Sequence, residues 1–139
     1  YYNRSLKFGA KPDVISYYDL PGLAVSIDGE EVSGLYDTEK FSTRDKYAAF
    51  LHGNNGLTVI KRTTPPAADF GRILVIKDSY GNAFVRYLTF HFSEIYVIDL
   101  RAFEGNLSDL IAEQSFDEVL VLYNFLNFAS DENIPRLRG

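Results

Sequence analysis

The sequence predicts one α/β domain built on a mainly parallel sheet, and three observations carry that expectation. The runs ILVIK (73–77), EIYVIDL (94–100) and EVLVLYN (118–124) are mainly aliphatic or β-branched, as strands buried on both faces require. Each run is separated from the next by a segment of helix length, so consecutive strands read as right-handed βαβ units. The chain has 139 residues, 46% hydrophobic and 15% aromatic, which supplies a single core but is too short for two domains of typical size.

The elements follow in chain order. Residues 1–13, YYNRSLKFGAKPD, open on aromatic residues without an initiator Met or a basic-then-apolar leader, and are read as the interior of a longer or processed chain. Leu23, Val25 and Ile27 alternate before Asp28-Gly29, a turn pair that tolerates positive φ, so a hairpin is expected over 23–35 as an accessory to the main sheet. A short helix over 44–52 follows from Ser42 or Thr43 as N-cap, apolar Tyr47, Phe50 and Leu51, and Gly53 as its stop. LTVIK (57–61) reads as a strand and the Pro-containing stretch 62–71 as a loop. Between the aliphatic runs, Tyr80, Phe84, Tyr87, Leu88 and Phe92 lie at helical spacing. Leu107, Leu110 and Ile111 mark a second helix capped by Asn106 or Ser108.

Charge and composition exclude several functions. The net charge is −5 with no block of like charges, so neither nucleic acid nor an anionic lipid surface is an expected partner. With no Cys there is no thiolate nucleophile or zinc–thiolate site, and two His without close acidic spacing predict no metal. The segment HGNNG (52–56) fits neither dinucleotide fingerprint nor phosphate loop, so no cofactor is expected. The apolar runs are too short to span a bilayer. Asn3-Arg4-Ser5 and Asn106-Leu107-Ser108 match the glycosylation sequon, a pattern frequent by chance.

In an open parallel sheet the binding crevice lies beyond the carboxyl ends of the strands. The polar residues there are Lys77, Asp78 and Ser79; Asp99 and Arg101; Tyr123, Asn124 and Asn127. Ser79 at a strand-to-helix turn has three readings: a helix cap, an anion site at the helix N-terminus, or a nucleophile. The nucleophile reading needs a base within hydrogen-bond reach. His91 lies three helical turns beyond Ser79, and His52 suits the C-terminal end of its own helix, so neither is well placed. An Asp at a strand end also fits a phospho-receiver, but VLYNFLNF (121–128) lacks the Lys that reading needs.

The segments RDKYAAFLHGNNGLTVIK (44–61), ILVIKDSYGNAFVRYLTFHFSEIYVIDLRAF (73–103) and DEVLVLYNFLNFASDENI (117–134) resemble the C-terminal half of bacterial DHHW proteins. These are relatives of the SGNH hydrolases and of the alginate and peptidoglycan O-acetyltransferases. The resemblance spans almost the whole chain and is most specific in K-D-S-Y, I-D-L-R and L-Y-N. It implies a three-layer, flavodoxin-like or SGNH-like sandwich in which Ser79 is the nucleophile. Asn124 then helps to hold the oxyanion or caps a helix, and Asp78 orients the turn. Tyr80, Asn82 and Arg101 are the residues beside them expected to touch substrate, with Arg101 also a partner for Asp78 or Asp99. The family's Asp-His-His-Trp segment precedes the serine, and this chain has no such segment and no Trp.

Taken together, residues 1–139 are expected to form a single SGNH-like domain from the C-terminal portion of a longer, extracytoplasmic, surface-attached protein. The expected substrate is an acylated glycan or small acyl ester, and the reaction serine-dependent deacylation or O-acetyl transfer. The alternative is a non-catalytic glycan- or protein-binding module using the same crevice.

Overall fold

The computed structural model describes residues 14–64 and 70–138. The opening stretch with the Asn3 sequon, and part of the 62–71 loop, lie outside them. Six strands form one sheet: β1 (Leu23–Ile27), β2 (Glu30–Val32), β3 (Leu57–Arg62), β4 (Arg72–Lys77), β5 (Glu94–Ile98) and β6 (Glu118–Leu122), in spatial order β2-β1-β3-β5-β4-β6.

The three aliphatic runs pair in parallel, β4 with β5 and β4 with β6. The pairs β1/β2, β1/β3 and β3/β5 are antiparallel. The sheet is therefore mixed, with antiparallel pairings in the majority, and the expected mainly parallel, flavodoxin-like sandwich is not the architecture. The reason lies in the connections. Only nine residues separate Arg62 from Arg72, fewer than a parallel crossover needs, so β3 runs opposite to β4 and to its neighbour β5.

The hairpin forms where the sequence places it but is not an accessory. Asp28 (φ 49°) and Gly29 (φ 92°) make a two-residue turn with both centres left-handed, which matches the twist of the flanking strands. β1 then pairs along β3 from Leu23↔Arg62 to Ile27↔Thr58, continuing the main sheet. Asp28 strengthens the join by accepting the Leu57 N–H on its carboxylate at 2.7 Å.

Helical content is small. The expected 44–52 helix is a single 3-10 turn, Lys46–Ala49, capped by Asp45 rather than by Ser42 or Thr43. The expected helix after β4 shrinks to a 3-10 turn, Ser79–Gly81, and a four-residue helix α1 (Val85–Leu88). Helix α2 (Leu107–Gln114) forms as read, with Asn106 accepting the N–H groups of Ser108 and Asp109. Helix α3 (Phe125–Ser130) follows β6 directly.

Strand alternation divides the core between the two sheet faces. Ile73, Val75, Ile95 and Val97 pack with Leu35, Tyr36, Phe50, Leu51 and Val85 on one face. Leu74, Ile76, Tyr96 and Ile98 pack with Leu100, Leu107 and the partly buried Leu110, Ile134 and Leu137 on the other. Each fully buried aliphatic side chain contributes roughly 1.5–3 kcal/mol. That packing makes the carboxyl ends of β4, β5 and β6 a rigid ledge.

Candidate active site

The ledge begins where β4 stops. Lys77 pairs with Leu122 of β6, and the next residue, Asp78, donates its N–H to the Leu122 carbonyl at 3.2 Å. The chain then turns through Ser79–Gly81. Asp78, not Ser79, caps this turn: its Oδ1 accepts the Tyr80 N–H at 2.9 Å. Its other oxygen accepts the Asn124 N–H at 2.9 Å and Asn127 Nδ2 at 2.7 Å, which joins the end of β6 to the end of β4. Asp78 is buried and both of its oxygens are occupied by protein donors. It orients the turn. The anion-site reading of Ser79 also loses its basis, because a three-residue 3-10 turn carries little of a helix dipole.

Beneath the turn runs the stem of Lys77. A Cβ on Gly81 would stand 2.7 Å from Lys77 Cβ, so only glycine lets the turn lie this close to the stem. The ammonium ends buried, 3.3 Å from Asn54 Oδ1 and 3.5 Å from Asp99 Oδ2. Burial pushes the Lys77 pKa down, while Asp99 works to hold the proton on. Asp99 in turn receives Arg101, with Nε at 2.8 Å from one oxygen and the terminal nitrogen at 2.5 Å from the other. Burial opposes the Asp99 charge, but Arg101 and Lys77 outweigh it and hold the carboxyl below the usual range. Arg101 thus pairs with Asp99, not Asp78, and its side chain remains 42% exposed at the ledge.

Asn82 is also drawn inward. Its Nδ2 donates to the Gly53 carbonyl and to Asn54 Oδ1, both at 3.1 Å, while its Oδ1 is buried without a partner among the described residues. Its amide therefore serves the HGNNG loop. Leu51, His52 and Gly53 all have φ between 53° and 99° there, a run that two non-glycine residues rarely sustain. Asn54, absent from the sequence candidates, receives both Lys77 and Asn82. No local pattern marks it, since both donors come from more than twenty residues away.

In K-D-S-Y-G-N, Lys77, Asp78 and Asn82 are thus held through their side chains and Gly81 by its packing on the Lys77 stem, whereas Ser79 is not. Its carbonyl accepts the Asn82 N–H at 3.3 Å. Its hydroxyl has no hydrogen-bond partner among the described residues and opens on a recess of about 350 Å³ lined by Tyr47, Ser79 and Tyr80. Tyr80 is exposed, and Tyr47 donates its phenol to the Tyr80 carbonyl at 3.1 Å. Burial raises the Tyr47 pKa and so keeps that phenol protonated. Asn124 caps α3, its Oδ1 accepting the Leu126 N–H at 2.9 Å, which leaves Nδ2 as a donor at the strand end. Ser79, Asn124 and Arg101 follow three neighbouring strands on one ledge.

The histidines do not join them. His52 holds a ring nitrogen 3.1 Å from the Gly34 carbonyl, and His91 is exposed beyond α1. Among the described residues no group of His, Asp and Glu could hold a metal ion, and no helix is long and apolar enough to cross a membrane.

The sequence of residues 25–98 matches the family model described as DHHW protein, more than half of the chain. The chain belongs to the DHHW family. The DHHW fold here is similar to that of a DHHW family protein from Eubacterium siraeum DSM 15702 (21% identity, TM-score 0.63, covering 85% of this chain and 40% of that one). It is also similar to PatB1 from Bacillus cereus, at 26% identity and TM-score 0.63, covering 81% of this chain and 38% of that one. A PatB1 structure with a sulfonyl adduct aligns at 22% identity with the same TM-score. This DHHW chain therefore spans about 40% of the length of these solved structures. Comparison with curated proteins returns no match.

Proposed function

We propose that this chain is the nucleophile-bearing portion of an SGNH-like serine acyl esterase or O-acetyltransferase acting on acylated, cell-surface glycan. The observation that carries the reading is Ser79, whose hydroxyl has no partner among the described residues and opens on a recess beside the turn that Asp78 caps. The likeness to PatB1 supports it, since a sulfonyl adduct is the product an activated nucleophile forms with a sulfonylating reagent.

In the proposed reaction Ser79 Oγ attacks the acyl carbonyl and gives its proton to a general base. The ester C–O bond breaks and the sugar alkoxide takes the proton, leaving an acyl-serine. Water or a second sugar hydroxyl then attacks that acyl group, and the same base returns a proton to Ser79. Two donors without partners among the described residues, the Ser79 N–H and Asn124 Nδ2, are suited to the oxyanion, and one such donor is typically worth ~3 kcal/mol. Arg101 and Tyr80 stand where a glycan would pass. The base comes from outside these residues, because His52 is bound to Gly34 and His91 lies beyond α1. Export and surface attachment belong to the same proposal.

The unplaced base favours one second reading, a non-catalytic glycan- or protein-binding module. Turnover of p-nitrophenyl acetate separates the two. The full-length protein is expected to lose activity on Ser79→Ala, while the 139-residue chain hydrolyses no faster than its own Ser79→Ala variant. A full-length protein whose turnover is unchanged by that substitution supports the binding module instead.

A further inference from the structure

The Ser79 turn has a wall that comes from a distant part of the chain. Tyr47 lies on the 3-10 turn Lys46–Ala49, 33 residues before Tyr80, and donates its phenol to the Tyr80 carbonyl at 3.1 Å. That turn is anchored independently of Ser79. Asp45 accepts the Ala48 N–H at 3.3 Å, and Ala49 is fully buried with its carbonyl accepting the Asp37 N–H at 2.9 Å. The Tyr47 ring packs against buried Phe50, with centroids 5.5 Å apart. Tyr47 is therefore held at both ends, at the ring by Phe50 and at the phenol by Tyr80.

Among the described residues the recess of about 350 Å³ at Ser79 is lined by Tyr47, Ser79 and Tyr80, and neither Arg101 nor Asn124 contributes to it. Two aromatic rings make up most of its wall. The Tyr47 phenol is engaged by the Tyr80 carbonyl, and the Tyr80 N–H by Asp78 at 2.9 Å. A buried sugar ring needs a partner for each of its hydroxyls, and this lining has too few to offer. An acyl chain has no polar hydrogen to satisfy and gains by leaving water.

We propose that this recess is the acyl subsite, and that Tyr47 sets how long an acyl chain it accepts. The inference rests on the serine-hydrolase reading and deepens it. Once Ser79 Oγ bonds the acyl carbon, that carbon carries three other groups: the oxyanion, the departing sugar oxygen and the acyl chain. The Ser79 N–H and Asn124 Nδ2 suit the oxyanion, and Arg101 stands where the glycan passes, so the recess is left for the chain. Removing the Tyr47 ring enlarges the space facing Ser79, and a bulkier ring reduces it.

The test is the ratio of kcat/KM for p-nitrophenyl butyrate to that for p-nitrophenyl acetate, measured on the full-length protein. A ratio cancels the concentration of folded protein, so a variant that merely loses stability leaves it unmoved. Tyr47→Ala is expected to raise the ratio roughly 10-fold or more, the scale on which a pocket discriminates a methylene, and Tyr47→Trp to lower it. Tyr47→Phe keeps the ring and removes the phenol, so the ratio holds while kcat for both esters falls with the loss of the Tyr80 anchor. A ratio that Tyr47→Ala and Tyr47→Trp leave at the parent's value, with Ser79→Ala still inactive, overturns the acyl subsite and spares the serine. Turnover of both esters that survives Ser79→Ala removes the serine reading and the subsite with it.

Discussion

Asp78 and Asn124 are joined across two strands, the N–H of Asn124 lying 2.9 Å from Asp78 Oδ2. With Tyr80 N–H and Asn127 Nδ2, this carboxylate accepts three donors from a position only 1% exposed. Asp78→Ala leaves those donors unsatisfied and is expected to cost about 3–4 kcal/mol in urea unfolding. Asp78→Asn keeps the size but places an amide hydrogen against a donor, so about 2 kcal/mol is expected. A change of less than about 0.5 kcal/mol in both would show that the hydrogen bonds do not hold the ledge.

Gly81 tests the packing below the serine. The Lys77 stem occupies the space of its absent Cβ, with Cβ, Cγ and Cδ all within 3.2 Å of where that atom would be. Gly81→Ala is expected to destabilise by about 1–3 kcal/mol, since stem or turn must move. The same variant in the full-length protein should lose activity beyond its loss of folded fraction. Equal specific activity per folded molecule would mean that the turn absorbs the methyl without displacing Ser79.

The buried Asp99 makes stability fall in acid. Its folded pKa lies below the ordinary value of 3.8, so its contribution is present above that value and is lost as pH falls through the folded one. Lys77 acts at the other end. Its folded pKa is below the ordinary 10.5, so the penalty for its buried charge is relieved as pH rises through the folded value toward 10.5. Asp99→Asn is expected to cost about 3–5 kcal/mol by stranding Lys77 and Arg101, and to flatten the acid limb of a stability–pH curve. Lys77→Met should remove the alkaline rise and, because Lys77 helps Arg101 to hold Asp99 down, make the acid limb shallower without abolishing it. An acid limb equally steep in Asp99→Asn assigns it to other carboxylates.

Much of this arrangement is legible in the residues, for identifiable reasons. β4 and β5 stand out because a strand covered on both faces needs apolar residues at nearly every position; β6 is as apolar, yet it is an edge strand with Val119 and Val121 exposed, so the expected burial of both its faces is not found. K-D-S-Y, I-D-L-R and L-Y-N mark the three strand ends. The direction of pairing is not written in composition. The nine residues between Arg62 and Arg72 were the available signal for an antiparallel β3, since no crossover fits in them. The 79–92 segment has helical spacing, yet Tyr80, Phe84 and Tyr87 are exposed, and the chain there breaks into a 3-10 turn and a short helix. Spacing alone cannot tell a packed stripe from an exposed one. Asn54 and the Lys77–Asp99 pair depend on residues more than twenty positions apart, which no local pattern encodes.

The central claim is that Ser79 is a nucleophile held ready by a turn that Asp78 caps and Asn82 and Gly81 anchor. Its hydroxyl makes no hydrogen bond among the described residues, so Ser79→Ala is expected to change stability by less than about 0.5 kcal/mol. The most direct measurement is peptide mapping of the folded full-length protein after reaction with a fluorophosphonate. A single adduct on Ser79, abolished in the equally stable Ser79→Ala protein, is the predicted result. An adduct on another residue, or labelling that persists in Ser79→Ala, would contradict the account.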